Sequence, residues 1–225
     1  MYFFYIIFSF YTLYNIFSQN ISKKMLDLLG YTYDDINDLP SMPSMPSMQS
    51  MPSKLIIIGS HTTVYDFIIG SLFYYAILHE KYSTYILMKK QFEQMCYPFL
   101  IFFGKKFKLI KIDSEKKGIT EQIYTELQNK DNFIIFIAPE GTRKLTEKLR
   151  SGYWYISKKL NIDIVYMGID YSSRNIIMEK CRKPKDTWDE EQEEFIKSCK
   201  KYVPLYPERC FQYQCFLGKS TAKTY

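Results

Sequence analysis

Residues 54–66 read KLIIIGSHTTVYD, and this stretch predicts both a central strand and a candidate reactive turn. The apolar run at 55–58 is short and rich in isoleucine, and Gly59 follows it directly. A run of this kind is typical of a strand that is buried on both faces of a parallel sheet. His61 follows at the carboxyl end of the predicted strand, and Asp66 lies five positions later.

The spacing of His61 and Asp66 favours a turn that opens a helix. Inside one helix, residues five positions apart point about 140° away from each other. At a helix start, by contrast, Asp66 can fold back onto His61. A histidine whose far nitrogen is held by a carboxylate is a general base with an orienting partner, so we predict that both residues are catalytic. The alternative for His61 is a core or turn histidine without a chemical role, and His79 is expected to be structural or exposed.

A second polar turn follows the strand predicted at 133–138. It reads PEGTR and ends at Arg143, and open α/β sheets bind ligands at such strand ends. Gly141 permits a tight turn or a close approach to a ligand. Arg143 offers a planar fork of donors that suits a phosphate monoester, whereas Glu140 either pairs with Arg143 or accepts a hydrogen bond from a substrate hydroxyl. We therefore predict that Glu140, Gly141, Thr142 and Arg143 bind substrate.

Strand-like and helix-like runs alternate from residue 54 onward. This alternation predicts an α/β domain with a mostly parallel sheet flanked by helices. The predicted strands are 55–58, 83–88, 108–112, 133–138, 164–170 and 175–181, and the predicted helices are 67–78, 92–103, 120–129 and 153–160.

A further helix is predicted after Thr187, which can cap its start. Acidic residues fill its first turns and lysines its far end, which complements the helix dipole. We interpret this charge run as a solvated face and not as a site. The residues concerned are Asp189, Glu190, Glu191, Glu193, Glu194, Lys197, Lys200 and Lys201.

The first 24 residues form the candidate membrane segment. Residues 1–19 carry no charge, and their polar side chains recur at helical spacing on one side. This pattern predicts a membrane-associating helix over 1–24 with shallow or re-entrant insertion, and Lys23 and Lys24 favour the cytosolic side. The alternative is an N-terminal core helix, and a signal peptide is disfavoured because a basic n-region is missing.

Residues 25–53 are predicted to be a linker, and residues 54–225 the folded domain. The linker contains the repeat SMPSMPSMQSMPS at 41–53, whose prolines exclude a regular helix. The whole chain has 225 residues, which is enough for one sizeable domain with a well-buried core.

Charge and cysteine content narrow the function class. The net charge of +6 is compatible with acidic lipid surfaces or phosphate-bearing substrates. Nucleic acid is disfavoured because the chain has neither a basic block nor an arginine stripe interleaved with aromatics. The five cysteines form no CxxC pair and only two histidines are present, so we predict no metal site. Reduced cysteines are typical of a cytosolic location.

The two polar turns together resemble a known family. The stretch His61–Asp66 is similar to the HxxxxD block of the glycerolipid acyltransferases, the group that contains the 1-acyl-sn-glycerol-3-phosphate acyltransferases. APEGTR at 138–143 resembles their second block, and RSGYWYI at 150–156 resembles the continuation that follows it. The resemblance covers about residues 54–181 and implies the glycerol-3-phosphate acyltransferase-like fold.

The resemblance also implies a reaction. His61 would take a proton from a glycerol hydroxyl as that hydroxyl attacks the thioester of acyl-CoA or acyl-carrier protein, which serve as co-substrates without a further cofactor. Asp66 would hold the imidazole, and Arg143 would position the acceptor phosphate. No covalent acyl-enzyme is needed, which is consistent with the absence of a GxSxG elbow. The implied partners are membrane lipids, with the catalytic domain on the cytosolic face.

Two positions depart from the family pattern. Ser114 stands where the family usually has an arginine that binds acceptor phosphate, and Tyr166 stands where it commonly has proline. Lys111, Lys116 or Lys117 could substitute for that arginine. The departure at Ser114 also leaves two alternatives: a non-catalytic lipid-binding module that keeps the fold, or an enzyme with another acceptor, such as glycerol-3-phosphate or a different lysophospholipid.

Overall fold

The computed structural model describes residues 19–33, 52–89, 107–112 and 118–211. Residues 1–18, the predicted helix 92–103 and Ser114 lie outside these ranges. From residue 54 onward, the strands and helices of the described ranges follow the predicted order along the chain.

The strands form one sheet with the order β1-β7-β6-β2-β5-β3-β4, which has seven strands in the described ranges. Only β6 and β7 pair antiparallel there, and the other neighbours are parallel. The predicted α/β class with a mostly parallel sheet is therefore confirmed. The strands are β1 (Thr32–Tyr33), β2 (Lys54–Ile58), β3 (Ser83–Lys89), β4 (Phe107–Ile112), β5 (Phe133–Ile137), β6 (Asp163–Asp170) and β7 (Asn175–Met178).

Helices cover both faces of the sheet. They are α1 (Gln19–Leu28), α2 (Val64–Phe73), which continues into a π-helical turn (Tyr74–Leu78), α3 (Ile119–Leu127), α4 (Gly152–Leu160) and α5 (Trp188–Cys199). A 3-10 turn (Pro207–Arg209) follows α5. One core lies between the sheet and the first two helices, and a second lies between the sheet and α3, α4 and α5.

Strand β2 lies between β5 and β6 and contributes to both cores. Leu55 and Ile57 face the core beneath α1 and α2, whereas Ile56 and Ile58 face the opposite core. All four side chains are 0% exposed. Burial of each such side chain contributes about 1.5–3 kcal/mol to stability. The sequence of β2 is an unbroken apolar run because both faces of the strand are buried.

The segment before β2 differs from the predicted organisation. Helix α1 continues to Leu28, beyond the predicted boundary at residue 24, and its Leu26 is fully buried in the core. Strand β1 then pairs with β7, so residues 25–33 pack with the domain, although we predicted a linker over 25–53. None of the helices in the described ranges is long and apolar enough to cross a membrane.

The interpretation of α5 as a wholly solvated acidic face is wrong for Glu191. Thr187 does cap the helix, and its hydroxyl accepts a hydrogen bond from the Glu190 N–H at 3.3 Å. Glu191, however, is 0% exposed, because it lies one helical turn before the buried Phe195. Its carboxylate pairs with Arg182 at 2.8 Å, which supplies the charge that makes this burial tolerable.

Candidate active site

Both predicted turns lie at the same edge of the sheet. Strands β2 and β5 are parallel neighbours, and Ile58 is paired with Ile137 at their carboxyl ends. The residues that follow each strand therefore leave the sheet side by side. This is the edge at which open α/β sheets bind ligands.

The structure brings His61 and Asp66 together. Thr63 is the N-cap of α2, and Asp66 is the third helical residue of a capping box. The Asp66 carboxylate turns back over the helix start, where its Oδ2 accepts hydrogen bonds from the N–H groups of Thr62 at 2.7 Å and Thr63 at 2.9 Å. The same oxygen lies 3.3 Å from His61 Nδ1. The predicted helix-opening turn is thus the geometry found.

The orientation of His61 leaves one nitrogen for chemistry. Because Nδ1 faces Asp66, Nε2 is the nitrogen that can meet a reactant, and the His61 side chain is 34% exposed. The separation of 3.3 Å from Asp66 is longer than a tight charge-assisted hydrogen bond, as is common before substrate binds. The arrangement can therefore accept a proton at Nε2 and stabilise the resulting imidazolium through Asp66.

The buried side chain of Glu140 links the second turn to the first through hydrogen bonds. Its carboxylate is 2% exposed and accepts hydrogen bonds from Ser60 Oγ at 2.6 Å and from the His61 N–H at 3.3 Å. Burial raises the pKa of Glu140, and the hydrogen bonds from Ser60 and His61 oppose that rise. The second turn thus holds the backbone of His61 through Glu140. The sequence left open whether Glu140 pairs with Arg143, and the described contacts show Ser60 and His61 as its partners.

The rest of the second turn is more open to solvent. Gly141 has a φ of 62°, which L side chains rarely adopt, and a Cβ built there would lie 2.7 Å from Arg150 Nε, so a larger residue would be strained and would have to displace Arg150. Thr142 accepts a hydrogen bond from the N–H of Lys144 at 3.2 Å. Arg143 is exposed, and no described contact joins it to His61 or Glu140. Its predicted role in substrate binding stays a prediction.

Tyr171 is a member of the site that sequence reasoning did not assign. Its hydroxyl donates to Asp66 Oδ1 at 2.7 Å, so the carboxylate is engaged through both oxygens. Tyr171 directly follows β6, the other neighbour of β2, and a hydroxyl at that strand end was the available signal. Ser60 was also missed, although it directly precedes His61.

An open pocket lies on the Tyr171 side of Asp66. Its volume is about 440 Å³, and its walls combine leucines, two tyrosines and one arginine. The lining residues are Leu28, Leu29, Tyr31, Tyr171, Arg174 and Leu205. In the part of the chain that the structure describes, no group of three or more His, Cys, Asp or Glu side chains is placed to hold a metal ion.

The fold and this edge define the general class as an α/β protein with a histidine–carboxylate pair at the ligand-binding end of its sheet. The family model for acyltransferases matches residues 43–168, more than half of the chain, so the protein belongs to the acyltransferase family. The match contains both turns and indicates acyl transfer by an O-acyltransferase-type enzyme. Comparison with curated proteins and with solved structures gives no significant match.

Proposed function

We propose that this enzyme transfers a fatty acyl group from acyl-CoA or acyl-carrier protein to a hydroxyl of lysophosphatidic acid or a related glycerolipid, as a step of phospholipid synthesis. The observation that carries the proposal is the His61–Asp66 pair, held at the same sheet edge as the second turn through Glu140. The family match supports the chemistry, and the resemblance of both turns to the glycerolipid acyltransferases supports the acceptor class.

The proposed reaction is a direct transfer. The acceptor oxygen attacks the thioester carbonyl carbon while His61 Nε2 takes the hydroxyl proton. The new C–O ester bond forms, the C–S bond breaks, and the imidazolium returns the proton to the departing thiolate. Asp66 stabilises the transient positive charge on His61, from which its Oδ2 is 3.3 Å away. A positioned base of this kind contributes about 10²–10⁴-fold to the rate.

Arg143 is the proposed ligand of the acceptor phosphate. Its side chain is exposed in the same turn as Glu140, and no described carboxylate forms an ion pair with it. A guanidinium can donate two parallel hydrogen bonds to a phosphate, which would fix the acceptor hydroxyl near His61. Gly141 and Thr142 would shape the backbone beneath that phosphate.

We also propose that the enzyme is membrane-associated through its N-terminal segment, with the catalytic domain on the cytosolic face. The uncharged composition of residues 1–19 supports this proposal. Because α1 begins at Gln19 and packs into the core, the informative truncation removes only residues 1–18. Release of that truncated protein from the membrane fraction is expected, and unchanged sedimentation would contradict the proposal.

The activity itself is tested with the purified full chain and labelled acyl-CoA. The acceptors offered are lysophosphatidic acid, glycerol-3-phosphate and lysophosphatidylcholine, and the products are separated and identified. We expect phosphatidic acid from lysophosphatidic acid as the main product. Exclusive acylation of another acceptor would refute the acceptor assignment. Retention of lipid without any product, also with acyl-carrier protein as donor, would instead favour the non-catalytic lipid-binding module.

A further inference from the structure

The Asp66 carboxylate has a donor on each oxygen. Oδ2 is occupied by the N–H groups of Thr62 and Thr63 and faces His61 Nδ1. Oδ1 accepts the hydroxyl of Tyr171, which lies 105 residues away along the chain, at 2.7 Å. The Tyr171 bond is therefore the contact that fixes the rotation of the carboxylate from outside its own turn.

On the basis of the proposed function, we propose that Tyr171 is a positioning residue of the reaction. Its hydroxyl holds Oδ1 of Asp66 in place, and it withdraws part of the negative charge that stabilises the imidazolium. Tyr171 thus acts on the base through Asp66 and not on the substrate.

Tyr171 is held through its backbone and through its ring. Its backbone N–H donates to the carbonyl of Val203 at 2.9 Å, and its ring forms an edge-to-face pair with the ring of Tyr31 at a centroid distance of 6.2 Å and an interplanar angle of 89°. Such an edge-to-face pair contributes about 0.5–1.5 kcal/mol beyond burial. The hydroxyl is therefore presented to Asp66 by a held ring.

Tyr171 remains a donor over the whole working pH range. Burial, followed by the charge and hydrogen bond of Asp66, raises the pKa of Tyr171 far above its ordinary value. A phenol that keeps its proton can only donate to a carboxylate. Tyr171 is therefore the donor and Asp66 the acceptor of this bond.

Removal of this donor changes the basicity of His61 in a defined direction. Without the hydroxyl, Asp66 Oδ2 still accepts hydrogen bonds from the N–H groups of Thr62 and Thr63 and stays beside His61. More of the negative charge on Asp66 is then available to the imidazolium, so protonation of His61 becomes easier. His61 works as a base only when neutral, and the acid limb of the pH–rate profile then moves to higher pH. Other titratable or charged groups that surround this unit are unchanged by the substitution; they are Glu140, Tyr31, Arg174 and Arg209.

The test substitution is Tyr171→Phe, which keeps the ring and removes the hydroxyl. Tyr31→Phe is the matched control, because it removes a neighbouring hydroxyl that makes no described hydrogen bond to Asp66. We expect kcat/KM to fall roughly tenfold for Tyr171→Phe, which corresponds to the loss of one hydrogen bond to a charged group. The acid limb should move up by on the order of half a pH unit. Tyr31→Phe should leave both quantities unchanged.

A second measurement does not depend on activity. The chain has two histidines, so NMR titration of the full-length protein follows both imidazoles, and His61→Gln assigns them. We expect the His61 titration midpoint to move to higher pH in Tyr171→Phe and to stay in place in Tyr31→Phe.

The outcomes separate the two proposals. An unmoved His61 midpoint in Tyr171→Phe overturns the positioning role, whether or not the parent transfers an acyl group. A moved midpoint together with an inactive parent overturns the proposed function and leaves the coupling of Tyr171 to His61 standing. An active parent, an inactive His61→Ala variant and an unchanged pH profile in Tyr171→Phe overturn only the role of Tyr171.

Discussion

Two buried carboxylates on this molecule have opposite environments. Glu191 is 0% exposed and Glu140 is 2% exposed, so both are removed from water to nearly the same degree. Glu191 is paired with Arg182 at 2.8 Å and also accepts from the hydroxyl of Tyr166. In the described contacts, Glu140 accepts hydrogen bonds only from two neutral donors, which are the Ser60 hydroxyl and the His61 N–H.

The different partners produce opposite electrostatics. Burial alone would raise the pKa of Glu191, but hydrogen bonds from Arg182, the Lys185 N–H and the Tyr166 hydroxyl, together with the charge of Arg182, hold that pKa below its ordinary value. For Glu140 burial prevails, and its pKa is raised. A carboxyl group whose pKa is shifted by burial beside a histidine is a candidate member of a functional site, whereas Glu191 lies in an ion pair away from both turns. The comparison therefore distinguishes the Glu191–Arg182 ion pair from the candidate active site around Glu140.

The largest effect on stability is expected at the Glu191 pair. Arg182→Met removes the cation and leaves Glu191 buried without a charge partner. Because breaking a buried pair from one side is strongly destabilising, we expect a loss of about 3–5 kcal/mol in the free energy of unfolding. Chemical denaturation monitored by circular dichroism measures it.

The matched control replaces both partners, as Arg182→Met with Glu191→Leu. An apolar pair avoids the uncompensated charge, so the double variant should recover most of the lost stability. If the double variant is as unstable as Arg182→Met alone, the charge pairing is not what supports this cluster.

An intermediate effect, on binding of the acceptor, is expected at the exposed Arg143 of the second turn. Arg143→Lys keeps the charge but loses the fork of donors, which weakens binding of a phosphate. We expect the KM for the acceptor to rise roughly tenfold, since losing one charge-assisted hydrogen bond costs about 1.5 kcal/mol. The KM for the acyl donor should stay within about twofold. Steady-state kinetics with each substrate varied in turn provides the measurement.

Arg150→Lys serves as the control for Arg143, because Arg150 is the other exposed arginine of this loop and lies against Gly141. A larger acceptor effect from Arg150→Lys than from Arg143→Lys would assign the phosphate to Arg150. Equal losses for donor and acceptor in Arg143→Lys would exclude a phosphate-binding role.

The smallest effect is a change in the pH dependence of stability at Glu140. Because its pKa is raised, Glu140 itself binds more protons in the folded protein than in the unfolded chain above its ordinary pKa of 4.5, so its contribution to the free energy of unfolding falls as pH rises through that window. Glu140→Gln cannot titrate and should flatten this decline. Denaturation curves from about pH 4.5 to pH 7 measure the difference. Glu147→Gln, which changes an exposed carboxylate of the same loop, should run parallel to the parent, and parallel behaviour of Glu140→Gln would contradict the argument.

The strands were predictable because a strand that is buried on both faces has a continuous apolar sequence. Strands β2 and β5 are continuous apolar runs that end at glycine or proline turns, so both their positions and the edge where they end follow from the sequence. The pairing of His61 with Asp66 followed from local spacing, since the helix N-cap brings them together within one turn.

Contacts between distant residues were not predictable in the same way. Glu191 resembles its exposed acidic neighbours in sequence, and only the packing of α5 and the distant position of Arg182 in space make it a buried partner. Tyr171 gains its contact with Asp66 because β6 lies beside β2 in the sheet, a neighbour relation that no local pattern encodes. Strand β1 has two residues, too few for a periodic signal.

The most direct test of the account is kcat/KM for acyl transfer by the full chain, measured side by side for the parent, His61→Ala and His79→Ala. The account predicts a loss of about 10²–10⁴-fold for His61→Ala, because a general base is removed, and no comparable loss for His79→Ala. Circular dichroism establishes that each variant is folded. Activity of folded His61→Ala within a few-fold of the parent would contradict the central claim that this imidazole performs the proton transfer.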